Sequence, residues 1–155
     1  MSYAAQTGNI QYLKFVHSKI LKQDKEYSVG KFFSLSDATR GNSLECLVYT
    51  HKILKARDTD DLCLTYAVRH ANIECLIYAH EVIHLDTIKN FEYVGQAENE
   101  YVMEAAARSG SITCMIYAHE KIHASDEWQN VLEEAIYSKN IDCVRYAHKI
   151  RKKDY

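Results

Sequence analysis

The sequence predicts an all-α fold, a solenoid of about five helix–turn–helix repeats with little or no β-hairpin. Three observations carry this. One stretch is written five times, at Ile10–Leu21, Leu44–Lys55, Ile73–His84, Ile112–His123 and Ile141–Lys152. Registered on Tyr12, Cys46, Cys75, Cys114 and Cys143, the copies recur at intervals of 34, 29, 39 and 29 residues. That interval is the length of one supersecondary unit in a stacked array. Proline is absent and glycine occurs only five times, which favours helices joined by short turns. The shorter interval leaves about four residues between one helix pair and the next, too few for a projecting hairpin. A single repeat domain over 1–155 follows, with repeats at about 2–22, 35–56, 61–85, 98–124 and 127–153 and an insertion at 86–97.

Each repeat reads as two helices. The first is short and centred on an alanine, since Ala4, Ala38, Ala67, Ala106 and Ala135 align. A small residue at one fixed position lets neighbouring helices approach closely. A turn follows, and then Asn9, Ser43, Asn72, Ser111 or Asn140. All five side chains can accept a hydrogen bond from an unpaired backbone N–H at the start of the second helix. Two residues further on, Glu45, Glu74 and Asp142 suit the positive end of the helix dipole.

The second helix is apolar on more than one side. Ile73, Leu76, His80 and Ile83 share a face, with Cys75, Tyr78, Ala79 and Val82 on its flanks, the pattern of a helix sandwiched between neighbours. One position is Val48, Ile77 or Ile116 in the middle copies and Lys14 or Arg145 in the outer ones. Polar outer faces are what a solenoid needs at its ends, so the five repeats are expected to form a complete array. Phe15, Tyr49, Tyr78, Tyr117 and Tyr146 occupy one position and are assigned to inter-repeat packing.

Bulk properties exclude several function classes. Nineteen basic residues stand against 21 acidic ones, which argues against a dedicated nucleic-acid binder. No apolar run approaches the ~18 residues of a membrane span, and the N-terminal residues lack the pattern of a secretion signal. Five cysteines is an odd number, and four of them occupy one repeat position. Stacked repeats lie too far apart there for disulfides, so the thiols are expected small, buried and reduced, in a cytoplasmic location.

The fourth unit, from Glu104 to Glu120, resembles the helix pair of an ankyrin repeat. The likeness rests on Ala106, Ala107 and Gly110, and on Ala4, Ala5 and Gly8 in the first unit. The Glu-Cys-Leu-x-Tyr-Ala-His-Glu string at Glu74–Glu81 is similar to a divergent ankyrin-type repeat of large DNA viruses and protists. The Thr-Pro-Leu-His opening of standard ankyrin repeats is missing from every copy. The resemblance implies protein–protein recognition without catalysis, cofactor or small-molecule substrate. It is compatible with an adaptor that captures a host or cellular protein, or with a small structural subunit of an assembly such as a virion.

Two stretches carry a different signal. His80-Glu81-Val82-Ile83-His84 and His119-Glu120-Lys121-Ile122-His123 both read His-Glu-x-x-His. On a helix that spacing places two imidazoles on one face to hold zinc, with the glutamate as general base of a hydrolase. The repeat provides a control. The first histidine recurs in all five copies (His17, His51, His80, His119, His148), whereas the glutamate aligns with Ser18, Lys52 and Lys149 and the second histidine with Leu21, Lys55 and Lys152. The motif is therefore read as a product of the repeat, with the invariant ring buried and its nitrogens bonded to backbone groups of a turn. A surface metal site using His84 and His123 on adjacent repeats is a lesser alternative.

The expected partner-binding residues are Arg69 and Arg108 on the first helices and Lys89, Phe91 and Tyr93 in the insertion. Arg40, Arg69 and Arg108 align as a basic ladder. The competing reading pairs these arginines with nearby acids such as Asp37 and Glu104. Aromatic residues on an irregular segment suit a binding anchor, although the insertion could equally be neutral. The C-terminal run Arg145, Lys149, Arg151, Lys152, Lys153 reads as a solvated helix end whose dipole favours cations.

Overall fold

In a computed structural model, the chain is described over residues 3–23, 33–57, 62–85, 102–124 and 130–151. Most of these residues are helical. The helices are α1 (Tyr3–Gln6), α2 (Ile10–Gln23), α3 (Leu35–Arg40), α4 (Leu44–Lys52), α5 (Cys63–Arg69), α6 (Ile73–Ile77), α7 (Val102–Ser109), α8 (Ile112–Glu120), α9 (Val131–Tyr137) and α10 (Ile141–Arg151). The helix begun by α6 continues as a π-helical turn over Tyr78–Val82. No strand occurs among the described residues, and Ser34 and Arg57 form one isolated bridge. None of the described helices is long and apolar enough to cross a membrane. The insertion at 86–97, with Lys89, Phe91 and Tyr93, lies outside the described residues.

The helices pair in sequence, and the pairs stack in chain order. The short helices α1, α3, α5, α7 and α9 pack side by side, and α2, α4, α6, α8 and α10 form a second row against them. The aligned alanines lie at the centre of the first row: Ala38, Ala67, Ala106 and Ala135 are fully buried and Ala4 nearly so. Leu13, Leu47, Leu76 and Met115 fill the space between the rows. Cys46, Cys75, Cys114 and Cys143 are buried free thiols, as is Cys63. Val82 departs from the sandwiched pattern and is exposed, as is Ile53 at the same position of repeat two.

Every second helix starts at the expected cap. Asn9 Oδ1 accepts from the backbone N–H of Gln11 and of Tyr12 at 3.0 Å. Ser43, Asn72 and Ser111 accept from the N–H groups of Cys46, Cys75 and Cys114, and Asn140 from that of Asp142. The residue before each cap is left-handed: Gly8 (φ 65°), Asn42 (55°), Ala71 (54°), Gly110 (72°) and Lys139 (59°). This one backbone reversal turns the chain from first helix to second in all five copies. Thr7, Ser109 and Ser138 brace it in three of them. Each hydroxyl donates to the aligned alanine carbonyl and accepts from the cap residue's N–H.

The second helices of repeats two to four end alike. The N–H groups of Leu54, Ile83 and Ile122 donate five residues back, and those of Ala56, Leu85 and Ala124 six residues back. Between each pair lies a left-handed residue, Lys55 (φ 54°), His84 (61°) or His123 (54°). A wide last turn closed by a left-handed residue is a helix C-cap.

Candidate functional site

The invariant histidine joins each repeat to the next. His17 Nδ1 lies 2.8 Å from the Tyr49 hydroxyl, His51 Nδ1 3.0 Å from that of Tyr78, His80 Nδ1 3.1 Å from that of Tyr117, and His119 Nδ1 2.8 Å from that of Tyr146. The rings meet edge to face, with centroids 5.8 to 5.9 Å apart. The expectation of a buried ring bonded to backbone is corrected on both counts. These four rings are half-buried, and their partner is a side chain of the following repeat.

The two glutamates of the His-Glu-x-x-His stretches bind the same hydroxyls. Tyr117 donates to Glu81 Oε1 at 2.8 Å, and Tyr146 to Glu120 Oε1 at 3.4 Å. A tyrosine has one proton to give, so the hydroxyl that serves Glu81 accepts from His80 Nδ1–H. Burial, and then the bond to and charge of Glu81, push the Tyr117 phenol up to about 12. Tyr146 is raised by burial and then by Glu120, and Tyr49 and Tyr78 by burial alone. His51 titrates below the usual imidazole value because it is partly desolvated and faces Lys55 and Lys52.

The zincin spacing does not become zincin geometry. His80 lies in the π-helical turn, and His84 is the left-handed residue beyond the helix end. His119 lies in α8, while His123 is again the left-handed residue past its end. In neither stretch do the two imidazoles share a face of one continuous helix, and both glutamates are already bonded to tyrosine. Among the described residues no group of three or more His, Cys, Asp or Glu side chains converges as a metal site. Burial raises the thiols of Cys46, Cys75, Cys114 and Cys143, which disfavours the thiolate form. Desolvation first, then the charge of Glu74 and proximity to Cys46, drive the Cys75 thiol up to about 12.

The aligned arginines lie exposed along the first-helix row. Arg40 and Arg108 reach groups on the next repeat, in the case of Arg108 an acid, and Arg69 lies against a ring of its own helix. Arg40 stacks on the Tyr66 ring at 5.5 Å, and Arg69 approaches the same ring at 5.8 Å. Arg108 makes a bidentate pair with Glu134, its Nη2 lying 2.7 Å from Oε1. Asp37 is taken by Gln6, whose Nε2 donates to it at 2.6 Å. Of the two arginines expected on the contact surface, Arg108 is held across a repeat boundary, and Arg69 lies against Tyr66 of its own helix α5. Sequence reading missed the tyrosine–glutamate bonds. The signal for the ladder was visible, since a histidine recurs at one position in all five copies and a tyrosine at another in all but the first, where Phe15 stands.

No protein-family model, no curated protein and no solved structure matches this chain, so its site is defined by its own geometry alone.

Proposed function

We propose that this chain is an ankyrin-like solenoid that works as a non-catalytic protein–protein interaction module, an adaptor for a cellular or host protein in the cytoplasm. The observation that carries the reading is the ordered arginine row on the first helices. Tyr66 holds Arg40 and Arg69 by ring stacking, and Glu134 holds Arg108. Planar guanidinium groups fixed in advance, as those of Arg40 and Arg69 are, lose little side-chain freedom on binding and pair bidentately with carboxylates, whereas Arg108 already has its carboxylate in Glu134. The partner this surface suits is an acidic protein segment. The first histidine and the glutamate of each His-Glu-x-x-His stretch are in keeping with the same reading, because they are engaged in joining repeats.

The test is quantitative affinity capture from the native source. It compares the wild-type chain, an Arg40→Glu/Arg69→Glu variant, and a variant whose 87–96 segment is a Gly/Ser linker. A near-stoichiometric protein lost with the arginine variant supports the site. Loss with the linker variant alone moves the site to the insertion. Retention of no protein by any form removes the reading. A second role, as a small structural subunit of an assembly such as a virion, is favoured by the apolar residues exposed at the two ends of the stack.

A further inference from the structure

The five repeats allow each surface position to be compared with its equivalents. In the first helix, the residue after the aligned alanine is Ala5, Thr39, Val68 or Ala107 in repeats one to four, and each is buried by the repeat that follows. In repeat five it is Ile136, 57% exposed. The residue that opens the second helix is half-buried in the first four copies, but Ile141 is exposed. His17, His51, His80 and His119 are half-buried against the next tyrosine, and His148 is exposed. Repeat five therefore displays, uncovered, the surface that every earlier repeat presents to its successor.

The opposite end mirrors it. The position of Cys46, Cys75, Cys114 and Cys143, fully buried in all four, holds the exposed Tyr12 in repeat one. The tyrosine position of the ladder holds Phe15, 56% exposed, and Tyr3 at the start of α1 is 79% exposed. Of the eight large hydrophobic side chains exposed among the described residues, six lie on these two end faces: Tyr3, Tyr12 and Phe15 on one, Ile136, Tyr137 and Ile141 on the other. Monomeric proteins seldom gather apolar side chains this way without a partner for them.

We propose that the two end faces bind each other between molecules, so that copies of this chain stack head to tail. The repeat junctions inside the chain supply the template. Gln6 reaches Asp37, Arg40 reaches Tyr66 and Arg108 reaches Glu134, always from one position in a repeat to one position in the next. At the intermolecular junction those two positions are Tyr137 and Tyr3, an aromatic pair. The ladder positions there are His148 and Phe15, again an aromatic pair but without the hydroxyl. The junction keeps the apolar contacts and lacks the hydrogen bond that each internal junction has, so it is weaker than those and reversible. A heterologous contact of this kind leaves one free face at each end, and it closes into a ring or continues as an open filament.

Sedimentation velocity across a micromolar-to-millimolar series tests this. The proposal expects the average mass of the wild-type chain to rise with concentration and to pass that of a dimer. Phe15→Glu and Ile136→Glu should each weaken self-association by at least about tenfold. Both side chains are exposed in the monomer, so helical circular dichroism should be unchanged. Mixing the two variants is the decisive arm, because each retains one intact face: the mixture should form dimers and nothing larger. A wild-type chain that stays monomeric throughout overturns the proposal. So does an Ile136→Glu variant that still dimerises alone, which would point to a symmetric contact between two repeat-one faces. A monomer whose melting temperature falls with Phe15→Glu also overturns it, since the face would then be covered by the chain's own remaining residues.

Discussion

A single hydroxyl does two things at Tyr117. It accepts from His80 of the preceding repeat and donates to Glu81 of that same repeat. Replacing it with phenylalanine leaves the ring packing but strands a half-buried imidazole N–H, so Tyr117→Phe should cost about 1–2 kcal/mol in urea denaturation. Combined with His80→Ala, the double variant should lose less than the sum of the singles, by a coupling of about 1 kcal/mol. Strict additivity would mean that the bond contributes nothing. The same tyrosine predicts an alkaline limit. Its phenol is raised in the fold from the ordinary value of 10.0 to about 12, because burial and Glu81 oppose the phenolate. The folded state holds this proton more tightly than the unfolded chain does. Its contribution is therefore complete below pH 10.0 and is lost as the pH rises toward about 12. The phenolate absorbance difference between wild type and Tyr117→Phe should appear late and together with loss of helicity. An early rise with helices intact would refute it.

At the scale of the helix, the caps were legible in the sequence and the turns were not. Asn9, Ser43, Asn72, Ser111 and Asn140 announce themselves because a short polar side chain before an apolar run has one common local use. The left-handed residue before each cap is harder to read. Gly8 and Gly110 fit it, but Ala71 and Lys139 occupy the same conformation with a side chain that disfavours it. Tertiary stacking fixes that turn, and single-residue preference does not reveal it. The His-Glu-x-x-His stretches failed for a related reason: spacing predicts a shared face only while the helix lasts, and these helices widen and end at Ile83 and Lys121. The glycines differ in turn. A Cβ at Gly8 would fall on the carbonyl oxygen of Gly41 in the next repeat, whereas one at Gly110 would meet nothing closer than Ser138 Cβ at 3.5 Å. Gly110→Ala should therefore cost about 1 kcal/mol, from backbone strain alone. Gly8→Ala adds a clash between repeats and should cost clearly more, about 2–3 kcal/mol. Equal shifts in urea midpoint would show that the close approach of repeats one and two is not felt.

For the whole molecule, the repeat announced the order of the helix pairs found among the described residues, because self-similarity constrains every copy at once. What it concealed lies at the ends. Lys14 and Arg145 read as polar caps, and both are exposed, but their position sits beside the junction surface. The residues on the junction surface itself are Tyr12, Phe15, Ile136 and Ile141, whose meaning depends on which neighbour is missing. The arginine row was visible as a row. The partners of Arg40 and Arg108 were not, because Tyr66 and Glu134 lie a whole repeat away in sequence from them.

The histidine–tyrosine rungs also bear on how such a chain can change length. Every internal unit carries both halves of a rung, the hydroxyl that faces backward and the imidazole that faces forward. A copy of repeat two, three or four inserted beside its parent would meet a matching half on either side, and the stack would lengthen without redesign. A copy of repeat one placed in the interior would present Phe15 to a histidine and leave that rung open. Growth by duplication is thus permitted in the middle of the chain and penalised at its start, a directional rule set by one oxygen atom.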